Sequence, residues 1–497
     1  MARQRARTVS LPPLKRPRYV SETTRRHILK DRPITVPNRI LGATLLITAL
    51  ATILRDWFAV PGSAIVAAVG VAVFLALAFP SAAWSRRLFV VIGLALVLIT
   101  VATRSEWYDL VFGALGQGAF IAAFFVALAT LRTPAGISPA IIRCGEYLAS
   151  QPPGKRYLAL TSGGHLFALV LNYGSIQLLG GLTESIAGRE PNEELREIRN
   201  KRMLLAVQRG FCASLLWSPL AFAMAITTSI IPGASWSSAV GFAIVNSMIF
   251  TAIGWALDTI VKPTYSGPRP APLKSGGTFR DLKPLLLLLS VIFLGVGVLE
   301  LLTGLRVVTV VMLFIPLVAL GWLVIEAQKK DEPGKTISSL IQSFAVKEIP
   351  SYRSEVVLLI MAGFIGSLGA ALAVPVLRGS GLDLSALPAW LIVAAPIWLI
   401  PLFGQFGMNP ILSVSLFAPI LPSPDLIGVS PAAIVCAITA GWALAGATSP
   451  FTATTMLIGR LGHTTAFRVG AFWNRTFFLV AAVALTGTSL FIAAVGS

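Results

Sequence analysis

The sequence predicts an all-α polytopic membrane protein with about 11 transmembrane helices, two re-entrant hairpins and two broken helices in an inverted repeat. Three observations predict this class. The chain is 55% hydrophobic and 12% charged, with a mean hydropathy of +0.80. Its long apolar runs alternate with short basic loops, as in proteins that cross the bilayer many times. Two stretches within these runs, 210–231 and 441–459, carry a serine–proline pair near their middle.

The N-terminal region differs from the rest in composition. Residues 1–39 contain eleven Lys or Arg but only Glu22 and Asp31 as acids, and they lack apolar periodicity. We expect a disordered, basic cytoplasmic tail that lies near anionic lipid headgroups. A nucleic-acid partner is the alternative for such a tail. It is not expected here, because a basic excess on a membrane protein first reflects topology. Residues 40–61 follow as a leading transmembrane helix.

Residues 62–257 are predicted to form the first inverted repeat. After three apolar runs and a polar connection comes the segment 158–182, which we name the first hairpin. It is long enough to cross the membrane, but Gly, Ser, His, Asn and Gln interrupt it, which favours a re-entrant hairpin. Residues 184–209 mix acidic and basic side chains and predict a solvated helical loop. The first broken segment, 210–231, and one plain helix complete this half.

The second half repeats this order after a Pro-rich, basic cytoplasmic linker at 258–283. Residues 284–497 are predicted to form the second inverted repeat. After three apolar runs comes an irregular stretch at 388–421, which we name the second hairpin. The second broken segment, 430–459, and a last helix follow.

Proline chemistry predicts the breaks. Pro219 and Pro450 each remove a backbone donor inside an apolar run. Because Ser and Asn are good N-caps and Pro is favoured at the first helical position, we expect a new half-helix to start at Ser218–Pro219, at Ser449–Pro450 and at Asn409–Pro410. Such starts direct free N–H groups into the membrane interior. The alternative is ordinary proline kinks without function.

The distribution of charge predicts the orientation. With a cytoplasmic N-terminus, 35 of the 40 Lys and Arg residues lie on the cytoplasmic side and four lie outside. This asymmetry follows the positive-inside rule. It places the C-terminus outside and makes the two hairpins enter from opposite sides. The predicted location is the plasma membrane, specifically a bacterial inner membrane.

This order of elements resembles the ion transporter superfamily, specifically the divalent-anion:sodium symporters and more distantly the large membrane subunit of TRAP transporters. The resemblance implies that the hairpin tips and the breaks enclose substrate and sodium, that these elements move across a fixed scaffold, and that the protein is a homodimer. The positions that would take these binding roles are Ser162, Gly163, Gly164, Asn172, Ser218, Pro219, Gly407, Asn409, Pro410, Ser413, Thr448, Ser449, Pro450, Thr452 and Thr454.

The predicted ligands follow from the chemistry of these positions. Half-helix N-termini favour an anionic group. Hydroxyl, amide and carbonyl oxygens suit Na⁺ as the coupling ion, and the candidate Na⁺ ligands are Asn409, Ser413, Thr448 and Ser449. Residues 210–257 and 430–459 contain no ionisable Asp, Glu, Lys, Arg or His, which favours sodium over proton coupling. His165 is the candidate proton site, and a neutral hydrogen-bonded His is its alternative.

Three other residue types have structural interpretations. Arg209 and Arg475 are predicted to extend towards lipid phosphate at cytoplasmic helix ends, with a place at the inner mouth of the pathway as the alternative. Trp217 is expected to pack, although it could stack on a substrate. Cys144, Cys212 and Cys436 show no metal-ligand spacing.

The predicted function is secondary active transport of a small anionic solute, an organic acid or an inorganic anion, with Na⁺ as the only cofactor. Two alternatives stay open. One is a TRAP-like permease, which needs a soluble binding protein. The other is a polytopic enzyme that acts on lipid-linked substrates. The enzyme is not expected, because the loops are short and the chain has only three His.

Overall fold

The computed structural model describes residues 36–261, 265, 278–380 and 384–495. These residues form helices joined by turns, and no strand occurs among them. Most of the predicted basic tail and much of the 258–283 linker lie outside the described residues.

The helices of the first half run from residue 36 to residue 260. They are α1 (Val36–Phe58), α2 (Ser63–Ala78), α3 (Trp84–Thr103), α4 (Trp107–Ala129), α5 (Arg132–Ile137), α6 (Pro139–Ala149), α7 (Pro153–Leu171), α8 (Gly174–Ala187), α9 (Glu193–Leu215), α10 (Phe222–Ile230) and α11 (Trp236–Ile260).

The helices of the second half begin after the linker. They are α12 (Lys283–Thr303), α13 (Val307–Ala327), α14 (Pro333–Ser343), α15 (Arg353–Gly379), α16 (Ala389–Gln405), α17 (Pro410–Phe417), α18 (Pro431–Thr448), α19 (Ala453–Leu461) and α20 (Arg475–Val495). A π-helical turn, Arg468–Trp473, precedes α20.

The all-α membrane class is confirmed. In the described part of the chain, ten candidate spans are long and apolar enough to cross a bilayer. The second broken segment is counted among these ten. The remaining predicted span, 210–231, is divided between the end of α9 and the short helix α10.

The prediction of a solvated loop before the first broken segment is wrong in one respect. α9 starts at Glu193, where the Asn192 side chain accepts a hydrogen bond from the Leu195 amide at 3.0 Å. It then continues without interruption to Leu215. No Gly or Pro separates the charged turns at 193–202 from the apolar turns that follow, so the predicted solvated helical segment is the first part of α9 and is continuous with the first broken segment. The polar connection at 132–157 also contains two short helices, α5 and α6.

The helices pack in two groups. α1, α2, α3, α4, α13 and α15 contact one another and form one group, which we call the scaffold group. α7, α8, α9, α11, α16, α18 and α20 form the other, which we call the hairpin group because it contains both predicted hairpins. The short helices α10 and α17 lie at the boundary, since α17 packs on α15 and also contacts α10 and α16. The second break therefore lies inside the hairpin group, and the first break lies at its boundary with the scaffold group.

Candidate functional site

The second broken segment is the most enclosed of the ten candidate spans. Its 18-residue apolar window within Pro431–Leu461 is 100% buried, whereas the window of Arg86–Thr103 is 11% buried. α18 ends at Thr448 and α19 begins at Ala453, so the backbone between them is unwound. In this turn the Ser449 side chain is fully buried, whereas the Phe451 side chain is 59% exposed. Irregular backbone at membrane depth is tolerated only where protein or a water-filled cavity surrounds it.

The breaks occur where the proline pairs predict them, but the half-helices begin later than predicted. Ser449 is the C-cap of α18, and its amide donates to the Ala445 carbonyl at 2.8 Å. Thr452 holds the N-cap position of α19. In the first broken segment α10 likewise begins at Phe222, after Ser218 and Pro219. The reason is that each Ser–Pro pair lies in an unwound turn of several residues, which separates the half-helices.

Hydroxyl and carbonyl oxygens gather at the second break. The Thr452 hydroxyl lies 2.9 Å from that of Thr454 and 3.0 Å from that of Thr455. Thr454 donates to the Gly446 carbonyl, and Thr455 donates to the Ser449 carbonyl at 2.5 Å. We call Thr452, Thr454 and Thr455 the threonine cluster. Sequence analysis missed Thr455. The signal that could have identified it is its position three residues after Thr452, which places both side chains on the same face of one helical turn.

The second hairpin contacts this break directly. The Ser449 hydroxyl donates to the Gly404 carbonyl at 2.6 Å, and Gly407, at φ +88° in the hairpin turn, lies beside the Phe451 ring. The predicted helix start at Asn409–Pro410 is confirmed. α17 begins at Pro410, and the Asn409 side chain accepts from the Ile411 amide at 2.8 Å. The tip of the second hairpin and the second break therefore form one connected unit.

The four predicted sodium ligands have partners within the protein. Besides the contacts of Asn409 and Ser449, the Ser413 hydroxyl donates to the Asn409 carbonyl at 3.3 Å, and the Thr448 hydroxyl donates to the Leu444 carbonyl at 2.7 Å. A hydroxyl that donates one hydrogen bond keeps oxygen lone pairs that can bind a cation. No cluster of His, Cys, Asp or Glu suited to a metal occurs among the described residues.

The first break is held by aromatic side chains. Within the unwound turn, the Ser218 hydroxyl accepts from the Leu220 amide at 3.1 Å. The Trp217 indole donates to His165 Nε2 at 3.0 Å, and its ring stacks on Phe293 with centroids 5.0 Å apart. Because an indole N–H can only donate, His165 Nε2 carries no proton in this arrangement. Trp217 thus links α7, the break and α12.

The residues predicted for the first hairpin are dispersed. Its turn lies at Asn172, whose φ of +50° is unusual for a residue other than glycine. Ser162, Gly163 and Gly164 lie two to three helical turns earlier, in the middle of α7. Ser162 is exposed. Gly163 packs against Leu148, and a Cβ at Gly164 would lie 2.6 Å from the Val207 carbonyl. These glycines allow close helix packing and are separate from the hairpin turn.

A buried polar network, which sequence analysis missed, adjoins the second break. Asn474 is fully buried, and its amide donates to the Ala447 carbonyl and to Gln208 Oε1, each at 3.0 Å. Gln208 also donates to the Ala447 carbonyl at 3.2 Å. Asn474 in turn accepts from Arg209 Nε at 3.1 Å. The network thus connects Arg209 to the carbonyl just before the break.

The prediction that Arg209 extends to lipid phosphate is wrong. Its side chain is 6% exposed. Its guanidinium donates to the Tyr157 hydroxyl at 3.0 Å and lies 4.3 Å from the centroid of the Phe477 ring. The reason is that α9 starts at Glu193, which places Arg209 about 24 Å along the helix and among neighbouring helices. Arg475, by contrast, is exposed.

The charge of this region is positive. Arg209 forms no ion pair with any carboxylate of the described residues, and its partners are neutral. The N-termini of α17 and α19 add partial positive charge near the same break, and the C-terminus of α18 adds partial negative charge. The region around 446–455 therefore combines hard oxygen atoms with a buried arginine that has no carboxylate partner among the ion pairs of the described residues. Such a region can attract an anion and hold a cation close to it.

Comparison with solved structures identifies the fold. The YdaH transporter of Alcanivorax borkumensis aligns with a TM-score of 0.54 at 15% identity, over 82% of this chain and 98% of YdaH. MtrF of Neisseria gonorrhoeae, described with a class of antimetabolite efflux pumps, aligns with a TM-score of 0.49 at 16% identity, over 81% of this chain and 94% of MtrF. The fold comparison rests on YdaH.

Comparison with protein-family models and with curated protein sequences gives no match. The assignment to the divalent-anion:sodium symporters or to TRAP transporters is not confirmed. The chain has the fold of a membrane transporter.

Proposed function

We propose that this protein is a secondary active transporter of a small anionic solute and that Na⁺ is its coupling ion. The observation that carries the proposal is the unwound break at 449–452. There, main-chain carbonyls, four hydroxyls and a helix N-terminus converge at the end of the buried helix α18. Discontinuous helices at this depth form substrate and ion sites in secondary transporters.

The preference for an anion is supported by local charge. Arg209 brings a buried positive charge within two hydrogen bonds of the Ala447 carbonyl, through Asn474. The N-termini of α17 and α19 direct amide groups towards the same region. Among the ion pairs of the described residues, none joins Arg209 to a carboxylate. An anion would supply the missing negative charge.

The preference for Na⁺ is supported by the type of ligand. The break offers only oxygen atoms of hydroxyls and carbonyls, which are hard ligands suited to an alkali cation. The predicted set of Asn409, Ser413, Thr448 and Ser449 can be extended by the threonine cluster. A proton-coupled carrier needs a titratable relay in the membrane. His165 has its Nε2 engaged by Trp217, so the proposal assigns the coupling to Na⁺.

Exchange between the two sides would use the boundary between the two groups of helices. The second hairpin moves with the second break in this proposal, because the hydrogen bond from Ser449 to Gly404 joins them. The scaffold group would stay fixed. This division follows the alternating-access behaviour of broken-helix transporters.

The test is a thermal-shift measurement on the purified full chain, with and without Na⁺, against a panel of organic and inorganic anions. Ligand binding to the folded state raises the melting temperature, by an amount that grows with ligand concentration. We expect one anion to raise it only in the presence of Na⁺. Ser449→Ala and Asn409→Ala should each reduce this response by about tenfold in apparent affinity, since each removes an oxygen worth about 1.4 kcal/mol.

The matched control is Ser489→Ala, which removes a fully buried hydroxyl on α20 that has no hydrogen-bond partner among the described residues. It should leave the anion response unchanged. Uptake into proteoliposomes that contain this chain alone separates the proposal from the TRAP-like alternative, which needs a soluble binding protein. A response that persists in both Ser449→Ala and Asn409→Ala would contradict the proposed site.

A further inference from the structure

A cavity lies away from the break, between the scaffold group and the second hairpin. Its volume is about 510 Å³, which is within the range of small-molecule sites. Leu110 of α4 and Val374 of α15 line it on the scaffold side. Ile230, at the end of α10, and Ser415 of α17 line it on the other side. These residues lie near the start of α4 and near the ends of α10, α15 and α17. In the predicted orientation these helix ends are on the outer side of the membrane, so the cavity lies there too.

The polar groups in this cavity lack partners. The Ser415 side chain is 3% exposed, and its hydroxyl has no hydrogen-bond partner among the described residues. The amide nitrogen of Gln117 is also buried without one. Buried polar groups in proteins are nearly always hydrogen-bonded. Two unpartnered groups on one cavity therefore indicate that something else satisfies them.

The position of Ser415 is set by close packing. A Cβ at Gly366 of α15 would lie 2.0 Å from the Ser415 Cβ. The absence of a side chain at Gly366 thus lets α17 approach α15 until Ser415 reaches the wall of the cavity. One turn earlier, a Cβ at Gly363 would lie 2.3 Å from Ile121 Cδ1 and 3.6 Å from Gln117 Cγ. Ser415 is thus held in place by the contact between α17 and α15, and Gln117 lies beside the same face of α15.

The remaining lining decides the class of ligand. The lining contains Leu, Ile, Val, Ala, Pro and Gly, together with Ser367, and it contains neither a charged nor an aromatic side chain. A charged ligand would lose its hydration here without gaining an opposite charge. An aliphatic ligand with one uncharged acceptor group would bury its body against Leu110, Ile230 and Val374. Its acceptor group would take the hydrogen bond that Gln117 can donate.

We propose that this cavity is a binding site for an uncharged, amphipathic small molecule, whose polar group hydrogen-bonds to Gln117 and Ser415. It is distinct from the anion and sodium site, which lies at the second break. A ligand here contacts α4 and α15 on one side and α17 on the other. Its occupancy would therefore link the scaffold group to the second hairpin.

The first test uses cyclohexanecarboxamide as the probe and isothermal titration calorimetry on the purified full chain. Cyclohexanecarboxylate is the matched charged probe, with nearly the same shape. We expect saturable binding of the carboxamide and at least tenfold weaker binding of the carboxylate. Ser415→Ala and Gln117→Leu should each weaken carboxamide binding about tenfold, the effect of one hydrogen bond. Ser489→Ala, which removes an equally buried hydroxyl elsewhere, should leave it unchanged.

The second test measures access directly. A Ser415→Cys variant is treated with thiol-reactive methanethiosulfonates. The methyl reagent is neutral, whereas the sulfonatoethyl and trimethylammonioethyl reagents are charged. We expect the neutral reagent to modify this cysteine at least tenfold faster and cyclohexanecarboxamide to slow the reaction. The native protein, whose three cysteines are buried, gives the background. Equal rates for neutral and charged reagents, or carboxamide binding that survives both Ser415→Ala and Gln117→Leu, would overturn the proposal.

Discussion

At the scale of single residues, Arg209 is the most unusual feature of the hairpin group. Burying a charge is costly unless hydrogen bonds or opposite charges compensate it. Here the compensation comes from Asn474, the Tyr157 hydroxyl and the face of Phe477. All three are neutral, so the positive charge remains available to its surroundings. If this position only stabilised the fold, an apolar side chain of similar size would stabilise it equally well.

This arrangement predicts a difference between Arg and Lys. An ammonium lacks the planar fork that reaches Tyr157 and Asn474 together. If the proposed anion site is correct, the apparent affinity for the anion in Arg209→Lys should fall about tenfold, which corresponds to one charge-assisted hydrogen bond of about 1.5 kcal/mol. The measurement is the dependence of the melting temperature and of the uptake rate into proteoliposomes on the anion concentration. Arg475→Lys changes an exposed residue and should have no effect. If Arg209→Lys changes the apparent anion affinity no more than Arg475→Lys does, Arg209 acts only through its positive charge and not through its hydrogen-bond geometry.

At the scale of elements, α7 and α9 are joined by a reciprocal pair of glycines. A Cβ at Gly210 would lie 2.1 Å from the Thr161 carbonyl, and one at Gly164 would lie 2.6 Å from the Val207 carbonyl. Each glycine therefore accommodates the backbone of the other helix. Small residues allow this approach in membranes, where packing replaces the hydrophobic effect as the force between helices. The contact sets the distance of the first hairpin from the first break.

Gly210→Ala tests this contact. The added methyl group has to move a backbone carbonyl rather than a flexible side chain, so we expect a melting temperature several degrees lower and a free-energy cost of about 1–3 kcal/mol. Gly181→Ala, in α8, is the control, because no atom lies within 4 Å of its added Cβ. It should be neutral or stabilising by about 0.5–1 kcal/mol. If Gly210→Ala leaves the melting temperature unchanged, α7 and α9 are not in this close contact.

At the scale of the whole molecule, the distribution of charge predicts the orientation in the membrane. In the predicted topology, 35 of the 40 basic residues are assigned to the side that the N-terminus occupies, and the burial of Arg209 leaves 34. The positive-inside rule predicts that this side is cytoplasmic. With the predicted eleven crossings, the C-terminus is expected outside.

Reporter fusions measure this orientation. Alkaline phosphatase fused after α20 should be active, because it folds outside the cytoplasm. Green fluorescent protein at the same place should be dark, and at the N-terminus it should fluoresce. The reverse pattern at the C-terminus would require an even number of crossings. The first broken segment, which the structure divides into two helices, would then be the segment that does not cross the membrane.

Several local features could be predicted from the sequence, and others could not. Asn409 was predicted as a helix cap and is one, because capping involves only neighbouring residues. Ser449 is predicted in the same way, and its hydroxyl accepts from the Phe451 amide at 3.3 Å while it donates to the Gly404 carbonyl on another helix. A local capping contact can be inferred from adjacent residues, but a second partner 45 residues away cannot. The predicted sodium and anion ligands remain predictions.

By itself, the sequence determined the all-α membrane class, the approximate helices and the position of both breaks. These depend on hydropathy along the chain and on the missing N–H of proline, which are local properties. Only the tertiary structure decided that Arg209 is buried, that Thr455 joins the threonine cluster and that Gln117 and Ser415 share a cavity. Each of these depends on which helices are neighbours in space. The apolar patterns of several membrane helices are nearly interchangeable, so they do not specify that arrangement.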